Sequence, residues 1–146
     1  MCQEMSPTVP SDMHDRISIL VVAPRERAAE LERIVSHTRW RMHVVHSIHD
    51  ALEAFRSSFV SVVLCEHRLP DGTWLDLMHA LQAVDPRPEV IVISPSGDLE
   101  LWDQVFHSGG YDLLTTPLEP RTIYEMIPMA WHQSNSFPPV TNLASY

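Results

Sequence analysis

Val60-Ser61-Val62-Val63-Leu64-Cys65-Glu66-His67-Arg68-Leu69-Pro70-Asp71-Gly72 is the stretch that decides the fold. Val60 to Cys65 is apolar and rich in β-branched side chains. One acidic residue closes the run, and Leu69-Pro70-Asp71-Gly72 has the composition of a turn. A buried strand that ends in one carboxylate and then a turn is how an α/β protein displays that carboxylate at the rim of its sheet.

Outward from this stretch, strand and helix signals alternate. Ile17 to Val22 reads as a first strand, bounded by Pro24, whose missing N–H suits the start of a helix. Residues 25–38 place Ala28, Leu31, Val35 and Thr38 on one helical face. Met42 to His46 is a second strand, followed by a capping-box-like Ser47-Ile48-His49-Asp50 with Asp in place of Glu or Gln. Ile48, Ala51, Leu52 and Phe55 make a helical stripe. Beyond the opening stretch, Trp74, Leu77, Met78 and Leu81 make a third helix, stopped by Pro86 and Pro88. Glu89 to Ile93 is a fourth strand. A fourth helix over residues 98–107 turns Leu101, Trp102, Val105 and Phe106 inward, and Gly109-Gly110 closes it. Asp112 to Thr115 is a fifth strand. Glu119-Pro120 opens a last helix with Ile123, Met126, Ile127 and Ala130 at helical spacing. Pro128 falls inside that helix, where a proline costs ~3 kcal/mol, so the helix is expected to kink or end there.

Five alternating strands and helices imply a parallel sheet covered on both faces. Strands one, three and four are continuously apolar, as central parallel strands must be. His43 and His46 suit strand two to an edge. The expected architecture is an α/β, flavodoxin-like, doubly wound single domain with strand order 2-1-3-4-5, whose crevice lies at the carboxyl ends of strands one and three. Glu66 lies at that crevice.

Composition narrows the function. The 146 residues make one domain with tails, read as a leader over 1–14, a domain over 15–133 and a tail over 134–146. A net charge of −9 and the lack of any basic run speak against a nucleic-acid partner. Cys2 and Cys65 offer no disulfide framework and no metal-ligand spacing. Residues 1–14 lack signal-peptide character, and no apolar run approaches the ~20 residues of a membrane span. The expectation is a cytoplasmic, soluble protein with no membrane partner. The tail, with Pro138-Pro139 and no charge, reads as a disordered extension or a segment that docks on a partner. With no output domain in view, the chain is expected to be a lone module or one excised from a longer protein, Met1 and the leader favouring the first.

The third strand with His67-Arg68-Leu69-Pro70-Asp71-Gly72 resembles the receiver domains of bacterial response regulators. So do Val92-Ile93-Ser94, Gly97-Asp98, Gly109-Gly110 and Leu113-Leu114-Thr115-Thr116-Pro117-Leu118. The resemblance covers about residues 16–132, with the motifs in order. It implies two-component signal transduction by phosphoryl transfer onto an aspartate. An acidic pair and the acceptor aspartate would hold Mg²⁺, and a hydroxyl and a lysine would bind the phosphoryl group. Carried onto this chain, the acidic pair falls on Ala23 and Pro24, the acceptor on Glu66, the lysine on Thr116 and the aromatic switch on Leu113. Ser94 keeps the hydroxyl, and Pro117 keeps a proline that is often cis in the family.

Each replacement has a chemical consequence. Mg²⁺ needs oxygen ligands in near-octahedral geometry, and alanine and proline offer no side-chain oxygen. Phosphoryl transfer relies on positioning and on cations around the transferring oxygens. Glu66 is one methylene too long, and a ~1 Å misplacement can cost on the order of a hundredfold in rate. The pattern reads as a degenerate pseudo-receiver with no catalytic residue and no cofactor, Mg²⁺ binding being lost. Glu66 then has two readings. As a mimic of a phosphorylated aspartate, it would accept a hydrogen bond from Ser94. As a rim carboxylate, it would pair with Arg25 or Arg68.

Other residues carry weaker signals. His43 and His46, three apart on a strand, point to opposite faces and do not chelate together; with His49 they read as surface histidines. His67 reads as a loop residue. Asp71 suits its turn for local backbone reasons. In the resembled family the face made by the fourth helix, fifth strand and fifth helix often binds partners; Trp102, Leu113 and Tyr124 lie there, and Trp131 follows.

The leading expectation is a signalling module that binds another signalling protein, a histidine kinase or an output protein, without being phosphorylated. A homodimer is plausible. One alternative is a conventional Mg²⁺-dependent receiver using Glu66 or Asp71. A third is an unrelated small α/β enzyme, against which stand the missing Gly-rich phosphate loop and the missing nucleophile–base pair.

Overall fold

Apolar residues in the strands alternate between two destinations, and that alternation builds the molecule. The computed structural model describes residues 17–135; the leader over 1–14 and the tail from residue 136 lie outside the described residues. Strands β1 (Ser18–Val22), β2 (Arg41–Val45), β3 (Val62–Glu66), β4 (Glu89–Ser94) and β5 (Asp112–Thr115) alternate with helices α1 (Arg25–Val35), α2 (Ile48–Ser57), α3 (Trp74–Leu81), α4 (Leu99–His107) and α5 (Pro120–Asn135). The five strands pair in parallel in the order β2-β1-β3-β4-β5, as expected.

Every residue of β3 is buried, whereas β2 alternates exposed and half-buried along most of its length. This is the contrast between a central and an edge strand. Ile19, Val21, Val62, Leu64, Ile91 and Ile93 face one side, where α1 and α5 cover them with Leu31, Ile34, Ile123 and Ile127. Leu20, Val22, Val63, Cys65, Val90 and Val92 face the other, under Ala51, Trp74, Leu77 and Leu81 of α2 and α3. The period of two along each strand thus feeds two separate cores.

Local chemistry sets the element ends. Pro24 caps α1 with φ −65°, and Ser47 Oγ accepts from Asp50 N at 3.1 Å to start α2. The Leu69–Gly72 turn is a small antiparallel hairpin in which Arg68 pairs with Thr73 and Leu69 with Gly72. Gly72 has φ 154°, a region that side-chain-bearing residues rarely adopt. Among the described residues no helix is long and apolar enough to cross a membrane.

Glu66 is the last residue of β3, in register with Ile93, as expected of a strand that ends in one carboxylate. Two expectations need correction. In α4 only Val105 is buried and Leu101 half-buried, while Trp102 (44% exposed) and Phe106 (62%) face outward. Residues 101/105 and 102/106 are both i, i+4 pairs, about 100° apart around the helix, and one helix against one sheet buries only the first pair. Of the two outcomes expected at Pro128, a kink or an end, the end does not occur: helix α5 runs through it. Ile127, Ala130 and Trp131 are buried on either side of the proline, so packing holds the turn that loses a backbone hydrogen bond.

Candidate functional site

The carboxyl ends of β1, β3, β4 and β5 gather the residues singled out in the sequence. Ala23 follows β1, fully buried, and its N–H donates to Val45 O at 3.1 Å; Pro24 next to it is exposed. Glu66 ends β3 and is 8% exposed. Ser94 ends β4, buried, in register with Thr115 of β5. Thr116 follows, half-buried, and joins Pro117 through a cis peptide bond, the form expected for that proline.

The partner of Glu66 is neither Arg25 nor Arg68 but Arg27. Its Nε donates to Glu66 Oε1 at 3.1 Å, and its Nη1 donates to Glu30 Oε1 at 2.6 Å. The physical reason is helical phase. Ala28 and Leu31 are buried against the sheet, so Arg27 beside them keeps only 21% of its side chain exposed and reaches the rim, while Arg25 and Arg68 are exposed. Burial pulls the guanidinium's pKa down, but the hydrogen bonds and charges of Glu66 and Glu30 outweigh it and hold the pKa above its ordinary value. Charge-assisted bonds of this kind are among the stronger ones in proteins.

Ser94 does not turn to Glu66. Its Oγ accepts from Ser96 N at 3.1 Å, tying down the loop after β4. Asp71 is also engaged: its two carboxylate oxygens accept from Ile48 N at 2.9 Å and His49 N at 3.0 Å, capping α2 from outside. The Ile48 amide, and then that of His49, hold the Asp71 carboxyl below its ordinary value. Burial drives the Cys65 thiol far above the usual range, so it stays protonated and its Sγ donates to Glu66 O at 3.2 Å. His67 holds the loop through its main chain, and its Nδ1 is buried with no partner among the described residues.

The donor set does not match a divalent cation. Ala23 and Pro24 supply no side-chain oxygen, and Glu66 already faces a guanidinium. Among the described residues no group of three or more His, Cys, Asp or Glu stands together. Nor does a lysine reach the rim from elsewhere, because all ten basic side chains of the chain are arginine. That bias toward arginine, one of them a turn into the first helix, is the signal in the sequence that would have pointed to Arg27.

The residues expected on a partner-binding face are dispersed. Leu113 is half-buried and packs on the core cluster beneath α2 and α3. Tyr124 packs on the other cluster, edge-on to Trp40, and donates from its hydroxyl to Ile34 O at 2.9 Å. Trp102 alone of the three is exposed, stacked on Phe106 with ring centroids 5.5 Å apart and planes 6° from parallel. Leu99, 82% exposed, begins the same helix.

A family model described as the response regulator receiver domain matches residues 21–128. The chain belongs to that family. The response regulator protein PilR of Pseudomonas aeruginosa is 29% identical over 89 residues, a match covering 61% of this chain and 20% of PilR. The chain therefore spans about a fifth of the length of the curated relatives it matches first. The fold agrees with solved receivers. A signal receiver domain of an HD domain-containing protein from Pseudomonas fluorescens superposes with a TM-score of 0.76 at 21% identity, covering 90% of this chain and 96% of that one. A two-component response regulator from Clostridium difficile gives 0.75 at 16% identity, covering 82% and 99%. This receiver domain is thus a module of the two-component signalling family.

Proposed function

We propose that this receiver domain signals without phosphorylation, as a pseudo-receiver that acts in the cytoplasm through protein–protein contact. The observation that carries the reading is the Arg27–Glu66 pair. In a phosphorylatable receiver the rim is an excess of carboxylate that calls for Mg²⁺ and for a lysine. Here Arg27 brings a permanent cation from within the chain, and two of the carboxylates are replaced by Ala23 and Pro24. The one rim carboxylate left, Glu66, already faces a guanidinium, so it has little electrostatic reason to recruit a metal.

Neither alternative acceptor is favoured. Asp71 has both oxygens on backbone amides, and Glu66 has one oxygen on Arg27 and is nearly closed off from solvent. The mimic reading gains no support from Ser94, whose Oγ is turned to Ser96. Glu66 is best read as an anchor that fixes α1 to the end of β3. Contact with a histidine kinase or an output protein then falls to an exposed surface, and the stacked Trp102–Phe106 face of α4 is the candidate. The domain is taken to span residues 15–133.

The test is direct. The protein is incubated with Mg²⁺ and a small acyl phosphate, and its intact mass is measured. The expected result is an unchanged mass. A stoichiometric gain of one phosphoryl group defeats the proposal.

A further inference from the structure

Beside the Arg27–Glu66 pair lies an open cleft of about 480 Å³, lined by Pro24, Arg25, His46, Arg68, Leu69 and Pro70. Three segments meet there: the start of α1, the residue after β2, and the hairpin after β3. Arg25 and Arg68 are exposed, and neither has an ion-pair partner among the described residues. His46 Nδ1 lies 2.8 Å from Ala23 O, so it carries the proton and donates, which leaves Nε2 as the nitrogen open to a ligand.

The carboxylates that could neutralise this corner are engaged elsewhere. Glu66 is held by Arg27, and Asp71 by the two amides of α2. Glu26, in the first turn of α1, is a nearby acid with no ion pair among the described residues, and it leaves the two guanidiniums in excess. In a chain of net charge −9, two unpaired guanidiniums and an imidazole around one cleft are a local reversal of sign. The walls between them, Pro24, Leu69 and Pro70, are apolar. Guanidinium groups match phosphate oxygens in a forked geometry, and the volume is in the range of small-molecule sites.

We propose that this cleft binds a small phosphorylated molecule, its phosphate held by Arg25 and Arg68 and its apolar body packed on Pro24, Leu69 and Pro70. The proposal rests on the phosphorylation-independent reading, since a rim that gathered carboxylates around a metal would repel such a ligand.

The experiment uses the full chain without Mg²⁺. The arginine Nε–H resonances are followed by NMR during titration with inorganic phosphate, with adenosine monophosphate and with acetate. Saturable shifts of Arg25 and Arg68 are expected, with Arg33 and Arg56 unmoved. Binding should be tighter for the nucleotide than for phosphate, and absent for acetate. The double variant Arg25→Ala/Arg68→Ala, both positions being exposed, should stay folded and bind the nucleotide at least about tenfold more weakly. Shifts spread equally over all arginines, no saturation below about 10 mM, acetate binding as well as phosphate, or nucleotide binding no tighter than phosphate each overturn it. The outcome separates from that of the mass measurement: a chain that takes a phosphoryl group yet fails the titration breaks both readings. A chain that keeps its mass and fails the titration breaks only this one.

Discussion

The rim of the sheet and the outer face of α4 treat their most conspicuous side chains in opposite ways. At the rim, Glu66, Arg27 and Asp71 all find partners within the chain, and Glu66 is closed to 8% exposure. On α4, Trp102 and Phe106 find mainly each other and keep 44% and 62% of their surface in water. A polar group already satisfied has little to gain from a ligand, whereas exposed apolar surface gains from any partner that buries it. The difference leaves the exposed aromatic surface on α4, away from the satisfied carboxylates of the rim.

The largest expected effect comes from breaking the rim. Arg27→Met leaves the Glu66 carboxylate, whose side chain is 11% exposed, without its counter-charge. Removing one member of a buried pair is costly, so urea unfolding should show a loss of about 3 kcal/mol. The double variant Arg27→Met/Glu66→Gln should recover much of that, because no buried charge is then left unpaired. A loss under about 0.5 kcal/mol for the single variant would mean that the pair does not organise the rim.

Asp71 gives a smaller effect with a defined pH dependence. Asp71→Ala removes the side-chain cap on α2 and should cost about 1 kcal/mol at neutral pH. The carboxyl titrates below the ordinary aspartate value of 3.8 in the folded protein. Its contribution is therefore complete above the unfolded value and is lost as pH falls through the folded value. The gap between the two proteins in thermal unfolding should be full near pH 6 and should close on acidification below pH 3.8. A gap that widens in acid would mean that the carboxylate is not the capping species.

Much of this was legible in the chain. Val60 to Cys65 reads as a buried central strand because every residue tolerates burial on both faces, and His43 and His46 mark β2 as an edge. The resemblance to receiver domains assigned Ala23, Pro24, Ser94 and Thr116 to one site, and the strand ends bring them to one rim. What was not legible depended on tertiary choice. The sequence offers α4 two helical stripes of similar apolarity, and only the sheet decides between Leu101/Val105 and Trp102/Phe106. For Glu66 the sequence pointed to Arg25 or Arg68, and the phase of α1 selects Arg27 instead. Pro128 obeys local propensity in isolation, but the buried Ile127, Ala130 and Trp131 override it.

The smallest effect on stability is expected where the contrast with the rim is sharpest. Trp102→Ala removes a large aromatic residue, yet its outer face touches no core, so the unfolding free energy should change by no more than about 0.5 kcal/mol. The same substitution should strongly reduce quenching by acrylamide, because Trp40, Trp74 and Trp131 are 9%, 4% and 6% exposed. If α4 is the face that meets a signalling partner, that partner should shield Trp102 from the quencher, and Trp102→Ala should weaken binding by about 2 kcal/mol, as anchoring aromatics do. A partner that binds with Trp102 still fully quenchable would move the interface off α4. A destabilisation of 2 kcal/mol or more in the variant alone would mean that the stacked pair belongs to the fold, and the two regions would then differ less than their exposures imply.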